Sequence, residues 1–522
     1  MTSPGLPSPP AARVSGPASA AGPWWRELNR YHWFVLIVAA LGWLFDTMDQ
    51  QLFNLARVPA MRELLQPGQD VALYSGYSTA IFLIGWATGG LTFGVLGDRI
   101  GRAKTMMWTI LIYSICTGLS ALSVGFWDFA FYRFITGLGV GGEFAVGISL
   151  VAEVMPTRSR PYALGLLQAL STVGNVSAAL ISMGLGHLQE TGVVASAWRW
   201  MFVIGAVPAA LALIIRARLK EPERWKAAQA SNPERLGSYA ELFGNVNWRP
   251  PALVAAGLVV AIIGVAFFGS EGWPKFTKVK IGVALAGCAL VAGLWSVYGG
   301  KGDTRWRRHA VVGLLLALAG IIGIWGIGFF SIDLMRSVFQ KSFAAEGMDP
   351  ARIPGQLTYW AGVTSVMLNV GAFFGIYSFS HVAQRIGRRP TFAIGFVLAL
   401  LSTAMVFLYF KERSQVFWML PMMGFCQLAL FGGYAVYFPE LFPTHLRSTG
   451  ISFSYNVGRF IAASGPAVLG LLTSEVYNDQ PEPMRYAGLT MCAVFLLGLL
   501  VLPFAPETKG QPLPGDERGF AH

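Results

Sequence analysis

The chain has few charged residues. Lys, Arg, Asp and Glu together make up 13% of its 522 residues, whereas soluble proteins carry about 25% charged residues. Hydrophobic residues make up 54% of the chain. This composition argues against an ordinary soluble enzyme and indicates a protein with many membrane-spanning helices.

Cysteine is also scarce, and the chain lacks the common motifs of metal and nucleotide chemistry. Each cysteine falls inside an apolar run, where a thiol packs as a small apolar side chain: Cys116, Cys288, Cys426 and Cys492. There is no HExxH pair, no CxxC pair and no GxxxxGK[ST] loop. We therefore predict no disulfide, no metal, no cofactor and no ATP-driven pumping by this chain alone.

The net charge of +12 does not indicate a nucleic-acid partner, because the basic residues lie in short gaps between apolar runs. Clusters at 99–104, 216–249, 301–308 and 385–389 all fall on one side if both termini are cytoplasmic, as the positive-inside rule expects. Lys275, Lys278 and Lys280 depart from this pattern. The lipid bilayer is the expected environment, and a bacterial inner membrane the expected location.

About fourteen apolar runs reach the length of about 20 residues that a spanning helix needs. The predicted spans are 31–54, 72–95, 105–124, 127–152, 161–185, 198–216, 251–268, 279–298, 309–334, 358–380, 390–410, 415–438, 448–473 and 486–505. We expect an all-α membrane fold with a disordered cytoplasmic tail (1–22), a six-helix half (23–217), a cytoplasmic loop (218–250), an inserted two-helix hairpin (251–308), a second six-helix half (309–506) and a cytoplasmic tail (507–522).

An internal repeat supports this division into halves. Three motif pairs are separated by nearly equal offsets of about 286 residues: Gly97–Arg102 with Gln384–Arg389, Glu153–Arg160 with Glu440–Arg447, and Pro222-Glu223 with Pro506-Glu507. Near-equal offsets at equivalent places in two six-helix units are hard to obtain by chance. Transporters are commonly built from such repeats.

The repeated motifs resemble those of the major facilitator superfamily. The segment Gly94–Lys104 resembles its signature loop, and Arg133–Glu143 resembles its fourth-helix motif. Glu221–Trp225 and Pro506–Gly510 resemble the half-ending motifs of its sugar and organic-acid porters. The resemblance implies two six-helix halves, a solute site between them and alternating access.

The first span resembles a narrower group. Phe45-Asp46-Thr47-Met48-Asp49 is similar to the paired-aspartate signature of metabolite–proton symporters that carry aromatic acids, sialate, lactate and related carboxylates. The aromatic-acid group commonly has glycine where this chain has Thr47. A central two-helix insertion is similar to that of sialate–proton symporters.

The resemblance implies a gating role for the loop after the second span and for its repeat, because such contacts form in one conformation and break in the other. The candidate gating residues are Gly97, Asp98, Arg99, Gly101 and Arg102, with Arg385, Gly387 and Arg388 in the second copy. The helix-end motifs add Glu153, Arg160, Glu440 and Arg447.

Three acidic residues are candidates for proton coupling. Asp46 and Asp49 share one helix face, and Glu143 lies inside the fourth span. A carboxylate at membrane depth is costly and indicates function. The alternatives are shallow pairing of the aspartates with Arg57 or Arg62, and a role for Glu143 as a helical neighbour of Arg133.

Arg133 and Arg459 lie well inside predicted spans, where a guanidinium suits a substrate carboxylate. The alternatives are structural pairing of Arg133 with Asp128 and of Arg459 with Glu143. Other polar residues that complete a predicted substrate cavity are Gln168, Asn175, Asn369, Gln427, Tyr455 and Asn456.

These features predict a monomeric secondary transporter, not an enzyme, that couples protons to the symport of a small organic acid or sugar acid. Three alternatives stay open: a sugar uniporter or symporter, a drug–proton antiporter, and a nutrient sensor that does not transport. Among these readings, only proton-coupled symport of an organic acid requires the carboxylates of the protein to titrate while a substrate carboxylate is taken up.

Overall fold

The computed structural model describes residues 22–69, 71–208, 218–231, 233–244, 305–328, 330–350, 353–462 and 472–514. Throughout these ranges the regular structure is helical, with no strand. The all-α prediction is confirmed. The inserted runs at 251–268 and 279–298 lie outside the described residues, as does Cys288.

The first half begins with a 3₁₀ turn and contains six helices. The turn is Trp24–Glu27, and the helices are α1 (Arg30–Leu64), α2 (Val71–Ile100), α3 (Arg102–Ser120), α4 (Phe126–Val154), α5 (Arg160–Glu190) and α6 (Ala197–Gly205). Asn29 starts α1, because its side chain accepts a hydrogen bond from the backbone N–H of His32 at 2.8 Å. Two short helices follow in the loop between the halves: α7 (Glu223–Ser231) and α8 (Tyr239–Phe243).

The second half repeats this order. Its helices are α9 (Arg305–Ile321), continued by a π-helical segment (Ile322–Gly328), then α10 (Phe330–Ala345), α11 (Ile353–Ile386), α12 (Arg388–Tyr409), α13 (Val416–Leu441), α14 (Arg447–Ala462), α15 (Pro483–Met491) and α16 (Val494–Val501). The turn before α14 is a 3₁₀ segment, Thr444–Leu446.

Within the described residues, nine helices are long and apolar enough to cross a membrane. They are Arg30–Leu64, Tyr74–Ile100, Phe126–Val154, Arg160–Gln189, Arg305–Ile324, Tyr359–Ile386, Arg388–Tyr409, Arg413–Leu441 and Pro483–Phe504. The predicted span at 105–124 corresponds to α3, and those at 198–216 and 448–473 are described only in part. The multi-pass fold is therefore confirmed, whereas the count of fourteen is not.

The repeat predicted from the sequence is present in the loops that follow α2 and α11. Gly101 and Gly387 each adopt a positive φ, 112° and 100°, immediately before α3 and α12, a conformation that side chains with a Cβ rarely adopt. Glu221 accepts hydrogen bonds from the backbone N–H groups of Arg102, Ala103 and Lys104 at 2.7–3.2 Å. Glu507 does the same for Arg388 and Arg389 at 2.9 and 3.0 Å.

This geometry corrects one alignment made from the sequence. Glu507 corresponds to Glu221, not to Glu223 as the matched Pro-Glu pairs predicted. Glu223 instead points to solvent and pairs with Lys226 at 2.9 Å. The corrected pair has the same offset of about 286 residues as Arg102 and Arg388.

The two halves meet along two helix pairs. In each half the inner helices pack closely, α2 with α4 and α11 with α13. Between the halves α5 packs along α11, and α2 packs along α14. Polar side chains of α1, α2, α4 and α14 therefore come together near the centre of the molecule, where α2 and α14 bring the two halves into contact.

Candidate functional site

The centre of the molecule holds two carboxylates without hydrogen-bond partners. Both oxygens of Asp46 and of Glu143 are buried, and neither side chain has a hydrogen-bond partner among the described residues. Glu143 of α4 lies against Gly42 of α1, where a Cβ would collide with its Oε1. Gly42 lies one turn before Asp46 on the same helix face, so both carboxylates lie on one side of α1. We call Asp46 and Glu143 the acid pair.

Asp49 has a different environment from the acid pair. Its Oδ1 accepts a hydrogen bond from the hydroxyl of Thr117 at 2.7 Å, and its Oδ2 lies 3.7 Å from Nη1 of Arg133. Arg133 also donates to the hydroxyl of Ser120 at 2.8 and 3.0 Å, and its guanidinium lies over the ring of Phe202, 4.6 Å from the centroid. Asp49 and Arg133 thus form a closed pair inside the first half.

Arg459 of α14 is the second half's contribution to the centre. Its Cζ lies 3.5 Å from the ring centroid of Trp86 in α2 and 4.5 Å from that of Tyr455, one turn earlier in α14. Its Nε and Nη1 are buried and have no hydrogen-bond partner among the described residues. Asp46 lies close enough to feel the charges of Glu143, Asp49 and Arg459. A buried cation without an ion-pair partner among the described residues therefore faces the acid pair from the opposite half.

The other polar residues predicted for the cavity fall into two groups. Asn175 of α5 donates to the side-chain oxygen of Asn369 in α11 at 3.0 Å, which joins the halves. Gln168 and Asn456 are buried, and each has a side-chain oxygen without a hydrogen-bond partner among the described residues. Gln427 instead donates to Thr403 of α12 at 2.5 Å, within the second half.

A second set of contacts closes one end of the molecule. We call this end, which carries the loop 97–104 and the turn 440–447, the motif end. Asp98 of α2 accepts hydrogen bonds from the backbone N–H of Thr449 at 2.8 Å and from its hydroxyl at 2.7 Å. It also accepts one from the N–H of Ser448 at 3.2 Å. A carboxylate from one half therefore caps the first turn of α14 in the other.

Arg102, Glu153 and Arg447 extend this contact. Arg102 makes two hydrogen bonds to the carboxylate of Glu153, at 2.9 and 3.1 Å. Arg447 of the second half donates to the same carboxylate at 2.8 Å, and Arg102 donates to the carbonyl of Thr444 at 2.7 Å. All three charged side chains are fully buried. Buried charges persist only with such partners, so these contacts hold the motif end closed.

The second copy of the loop makes its contacts within the second half. Arg388 pairs with Glu440 at 2.6 Å, and Thr508 donates to Glu440 at 2.6 Å. Partial burial favours the neutral form of Glu507, but hydrogen bonds from the N–H groups of Arg388 and Arg389 outweigh it and lower the pKa below its ordinary value. Gln384, which replaces the aspartate here, carries no charge for an equivalent cap.

Of the other predicted gating residues, Arg99 donates to the carbonyl of Leu236 at 3.2 Å. Arg385 accepts a hydrogen bond from Lys509 through its carbonyl at 2.7 Å. Arg160 is buried at the start of α5. The loop between the halves therefore packs on the motif end, as do the residues after α16.

The loop between the halves covers the motif end through α7 and α8. Trp225 donates to the carbonyl of Asp98 at 2.7 Å, and the N–H of Gly237 donates to the carbonyl of His445 at 2.9 Å. The Nε2 of His445 lies 3.9 Å from Glu241 of α8. Burial lowers the pKa of His445 below its ordinary value, with only partial opposition from Glu241.

A cavity of about 470 Å³ lies at the same end, lined by Tyr31, Glu153 and Glu221 among others. It lies beside the buried ion pairs of the motif end and not beside the acid pair. We therefore assign it to the motif end and not to a solute site.

Several residues at these sites were not predicted from the sequence. Thr117 and Ser120 of α3 hydrogen-bond to the Asp49–Arg133 pair. Thr449 donates a hydrogen bond to Asp98, and the ring of Trp86 lies against the guanidinium of Arg459. A threonine, a serine or a tryptophan in an apolar helix carries no pattern that distinguishes it from packing residues. The capping role of Glu221 could have been predicted from the sequence, because Glu221 lies in the half-ending motif.

Two family models match separate parts of the chain. The model described as "Sugar (and other) transporter" matches residues 51–247, and that of the "Major Facilitator Superfamily" matches residues 353–521. Together the two models cover more than half of the chain. One model matches the first six-helix half, and the other matches the second. The chain belongs to the major facilitator superfamily.

Curated relatives within the superfamily cover almost the whole chain. A putative metabolite transport protein of Haemophilus influenzae is 28% identical over 495 residues, covering 93% of this chain and 99% of the relative. A probable 4-methylmuconolactone transporter of Cupriavidus pinatubonensis is 26% identical, covering 92% of each chain. This member of the superfamily is accordingly a membrane transporter of small molecules, not an enzyme.

The fold agrees with a solved superfamily structure. A proton:xylose symporter bound to 6-bromo-6-deoxy-D-glucose superposes with a TM-score of 0.65 at 17% identity, covering 93% of this chain and 98% of the symporter. At this identity the match establishes the fold alone. The predicted fold class is confirmed.

Proposed function

We propose that this transporter carries a small organic acid together with a proton, by alternating access between its two halves. The observation that supports this most strongly is the meeting of the acid pair with Arg459 at the centre. A buried guanidinium with unpartnered N–H groups is suited to bind a carboxylate. Buried carboxylates without hydrogen bonds are suited to take up and release protons.

Charge balance at the centre links the two events. Asp49 and Arg133 neutralise each other, which leaves two acids and one cation among Asp46, Glu143 and Arg459. One proton on the acid pair makes this group neutral. When a substrate carboxylate binds Arg459, the centre gains one negative charge, so a second proton must bind to restore neutrality in a low-dielectric site. We infer one proton for each carboxylate.

Arg133 and Asp49 take a supporting role in this proposal. Their charges neutralise each other, and Thr117 and Ser120 hydrogen-bond to them inside the first half, so neither is as available to solute as Arg459. Gln168, Asn175, Asn369 and Asn456 supply further polar contacts, whereas Gln427 braces α13 against α12. The contacts at the motif end form the closed gate on the cytoplasmic side of a bacterial inner membrane, with both termini on that side and a single chain as the working unit.

The relatives favour an organic acid or a related metabolite over a drug. One of them is named as a probable transporter of 4-methylmuconolactone, a compound that bears a carboxylate. Sugar transport is the second candidate, supported by the sugar-transporter model that matches the first half. In that case Asp46 and Glu143 would bind hydroxyl groups.

Uptake by purified protein in liposomes tests the proposal. Labelled carboxylates and sugars would be offered with and without an imposed pH gradient, and again with a protonophore. We expect a carboxylate to accumulate only with the gradient and to be lost on adding protonophore. Uptake of every tested carboxylate that ignores both treatments, or equilibration of a sugar without accumulation, would contradict it.

A further inference from the structure

The hydroxyl of Tyr113 in α3 is buried and has no hydrogen-bond partner among the described residues. The hydroxyl of the next residue, Ser114, lies near it and likewise has no hydrogen-bond partner there. A buried phenol usually has such a partner, because an unpaired polar group away from water costs free energy. Thr117, one turn later in α3, differs in this respect, since it donates to Asp49 at 2.7 Å. The hydroxyl of Tyr113 thus has a donor that the packing of the first half does not use.

The packing of α3 against α4 directs this hydroxyl toward Glu143. A Cβ at Gly139 of α4 would lie 2.9 Å from the Cβ of Tyr113, and a Cβ at Gly142 would lie 2.9 Å from the Cγ2 of Thr109. Long side chains of a helix lean toward its N-terminus. The ring of Tyr113 therefore leans from the level of Gly139 toward that of Gly142, which precedes Glu143. Because α4 runs in the opposite direction, the side chain of Glu143 leans toward the ring.

Three carboxylates lie close enough to Tyr113 for their charges to act on its hydroxyl. Glu143 of α4 has the largest effect, followed by Asp46 and Asp49 of α1. Asp49 already has an ion-pair partner in Arg133, whereas both members of the acid pair lack a hydrogen-bond donor among the described residues. The phenol therefore lies beside two carboxylates that need a donor whenever one of them is ionised.

We propose that Tyr113 is a positioning residue that donates a hydrogen bond to the acid pair once the pair has released a proton. This inference rests on the proposed function, in which the acid pair holds one proton in the empty site and two when a carboxylate is bound. Release of the second proton leaves an ionised carboxylate in a low-dielectric site, and a hydroxyl donor stabilises that state. The protonated state gains less, because hydrogen bonds to charged groups are stronger. Tyr113 thus eases proton release, and it does so through the acid pair.

Infrared titration of the purified full chain measures this effect without a substrate. The carbonyl stretch of protonated carboxyl groups would be followed against pH, and the part that belongs to the acid pair is the part removed in the double variant Asp46→Asn/Glu143→Gln. In Tyr113→Phe we expect the midpoint of its first proton loss to rise by about one to two pH units, the size of one hydrogen bond to a charged group.

A matched control separates this role from the loss of any buried hydroxyl. Tyr434 of α13 is also fully buried, and its hydroxyl donates to the carbonyl of Leu316 at 2.6 Å within the second half. Tyr434→Phe is therefore expected to leave the midpoint unchanged. An equal rise in Tyr434→Phe would show a general loss of packing and would overturn the inference.

A second substitution keeps the test independent of whether Tyr113→Phe folds. Incorporation of 3-fluorotyrosine in place of Tyr113 nearly preserves the size of the ring and makes the hydroxyl a stronger donor. The ionised carboxylate is then stabilised further, so the midpoint is expected to fall. A midpoint that does not fall with 3-fluorotyrosine would overturn the inference, as would one that Tyr113→Phe leaves unchanged.

The titration and the uptake assay fail separately. If a pH gradient drives accumulation of a carboxylate but neither substitution of Tyr113 moves the midpoint, the inference is wrong and the proposed function stands. If the midpoint moves as expected but no carboxylate accumulates, the hydrogen bond to the acid pair stands and the proposed function is wrong.

Discussion

Asp98 and Thr449 lie 351 positions apart in the chain and form two hydrogen bonds, at 2.7 and 2.8 Å, across the boundary between the halves. The carboxylate caps the first turn of α14, and Arg102 lies 3.0 Å from it on the other side. Opening the motif end must break this cap. This aspartate therefore stabilises the closed state alongside the contacts of Glu153, and the second half replaces it with Gln384.

Asp98→Asn is expected to shift the protein toward states with an open motif end. Asparagine has one acceptor oxygen where the carboxylate has two, and it cannot form the ion pair with Arg102. Leaving such buried donors without their charged partner costs about 1–3 kcal/mol, which changes a two-state population by at least about fivefold. Spin labels on exposed positions of α3 and of the last turn of α11 would report the distance between the halves. Asp128→Asn is the matched control, because Asp128 caps α4 within one half. An unchanged distance distribution in Asp98→Asn would contradict the role of the cap.

His445 is expected to make the motif end sensitive to pH. It faces Glu241 of α8, Arg235 of the preceding 3₁₀ turn and Arg447 of α14, and burial lowers its pKa despite the attraction of Glu241. The closed state thus prefers the neutral imidazole. Its contribution is complete above the ordinary histidine pKa of about 6.5 and is lost as the pH falls through the lower pKa of the closed state.

Lowering the pH from about 7.5 to 5.5 should therefore loosen α8 from the motif end. Labels on exposed positions of α8 and of the last turn of α11 would measure this separation, and the pH response should shrink in His445→Gln. His381→Gln is a suitable control, because His381 bonds to Tyr377 in its own helix. A response of equal size in His445→Gln and the unaltered protein would exclude His445 as the sensor.

Removing Arg133 should destabilise the protein more than removing it together with Asp49. Arg133→Met leaves Asp49 as a buried charge without its ion-pair partner, a change that costs about 3–5 kcal/mol. Arg133→Met combined with Asp49→Asn removes both charges and should recover much of the loss. Thermal unfolding in detergent measures each difference, and equal losses in the single and double variants would show that the pair is not coupled.

The repeat explains how much of the fold the sequence predicts. Residues with strong backbone requirements, such as Gly101 and Gly387, keep their spacing in both halves, so the two loops align from the sequence. A further match at the same offset was missed: Arg199 donates to the carbonyls of Ala121 and Ser123 after α3, and Arg485 to those of Phe407 and Phe410 near the end of α12. A lone arginine between apolar residues gives no motif to match.

The site was predicted less completely, because the sequence does not say which charges meet. Asp46 and Asp49 share a helix face, but their surroundings differ. Asp49 pairs with Arg133 and accepts a hydrogen bond from Thr117. Asp46 has no hydrogen-bond partner among the described residues. Asp128 was considered as a partner for Arg133. Its carboxylate instead accepts hydrogen bonds from the backbone N–H groups of Val124 and Gly125 at the start of α4. Such choices depend on how α1, α3 and α4 pack, which spacing along one helix does not determine.

Asp46→Asn and Glu143→Gln separate binding from coupling. Both changes keep the size of the side chain and remove its ability to titrate. When the two are combined, we expect carboxylate exchange without a gradient to persist within about threefold, while gradient-driven accumulation falls by at least about tenfold, because neither acid is left to take up the proton. Asp49→Asn should affect stability more than coupling. Accumulation that survives in the double variant would contradict the assignment.

Proton uptake during transport tests the central claim most directly. A pH electrode would follow weakly buffered liposomes after the best-transported carboxylate is added, while labelled substrate counts the molecules taken up. The account predicts about one proton for each carboxylate in the unaltered protein, and carboxylate movement without proton uptake in the double variant Asp46→Asn/Glu143→Gln. Carboxylate uptake with no accompanying protons in the unaltered protein would contradict the account.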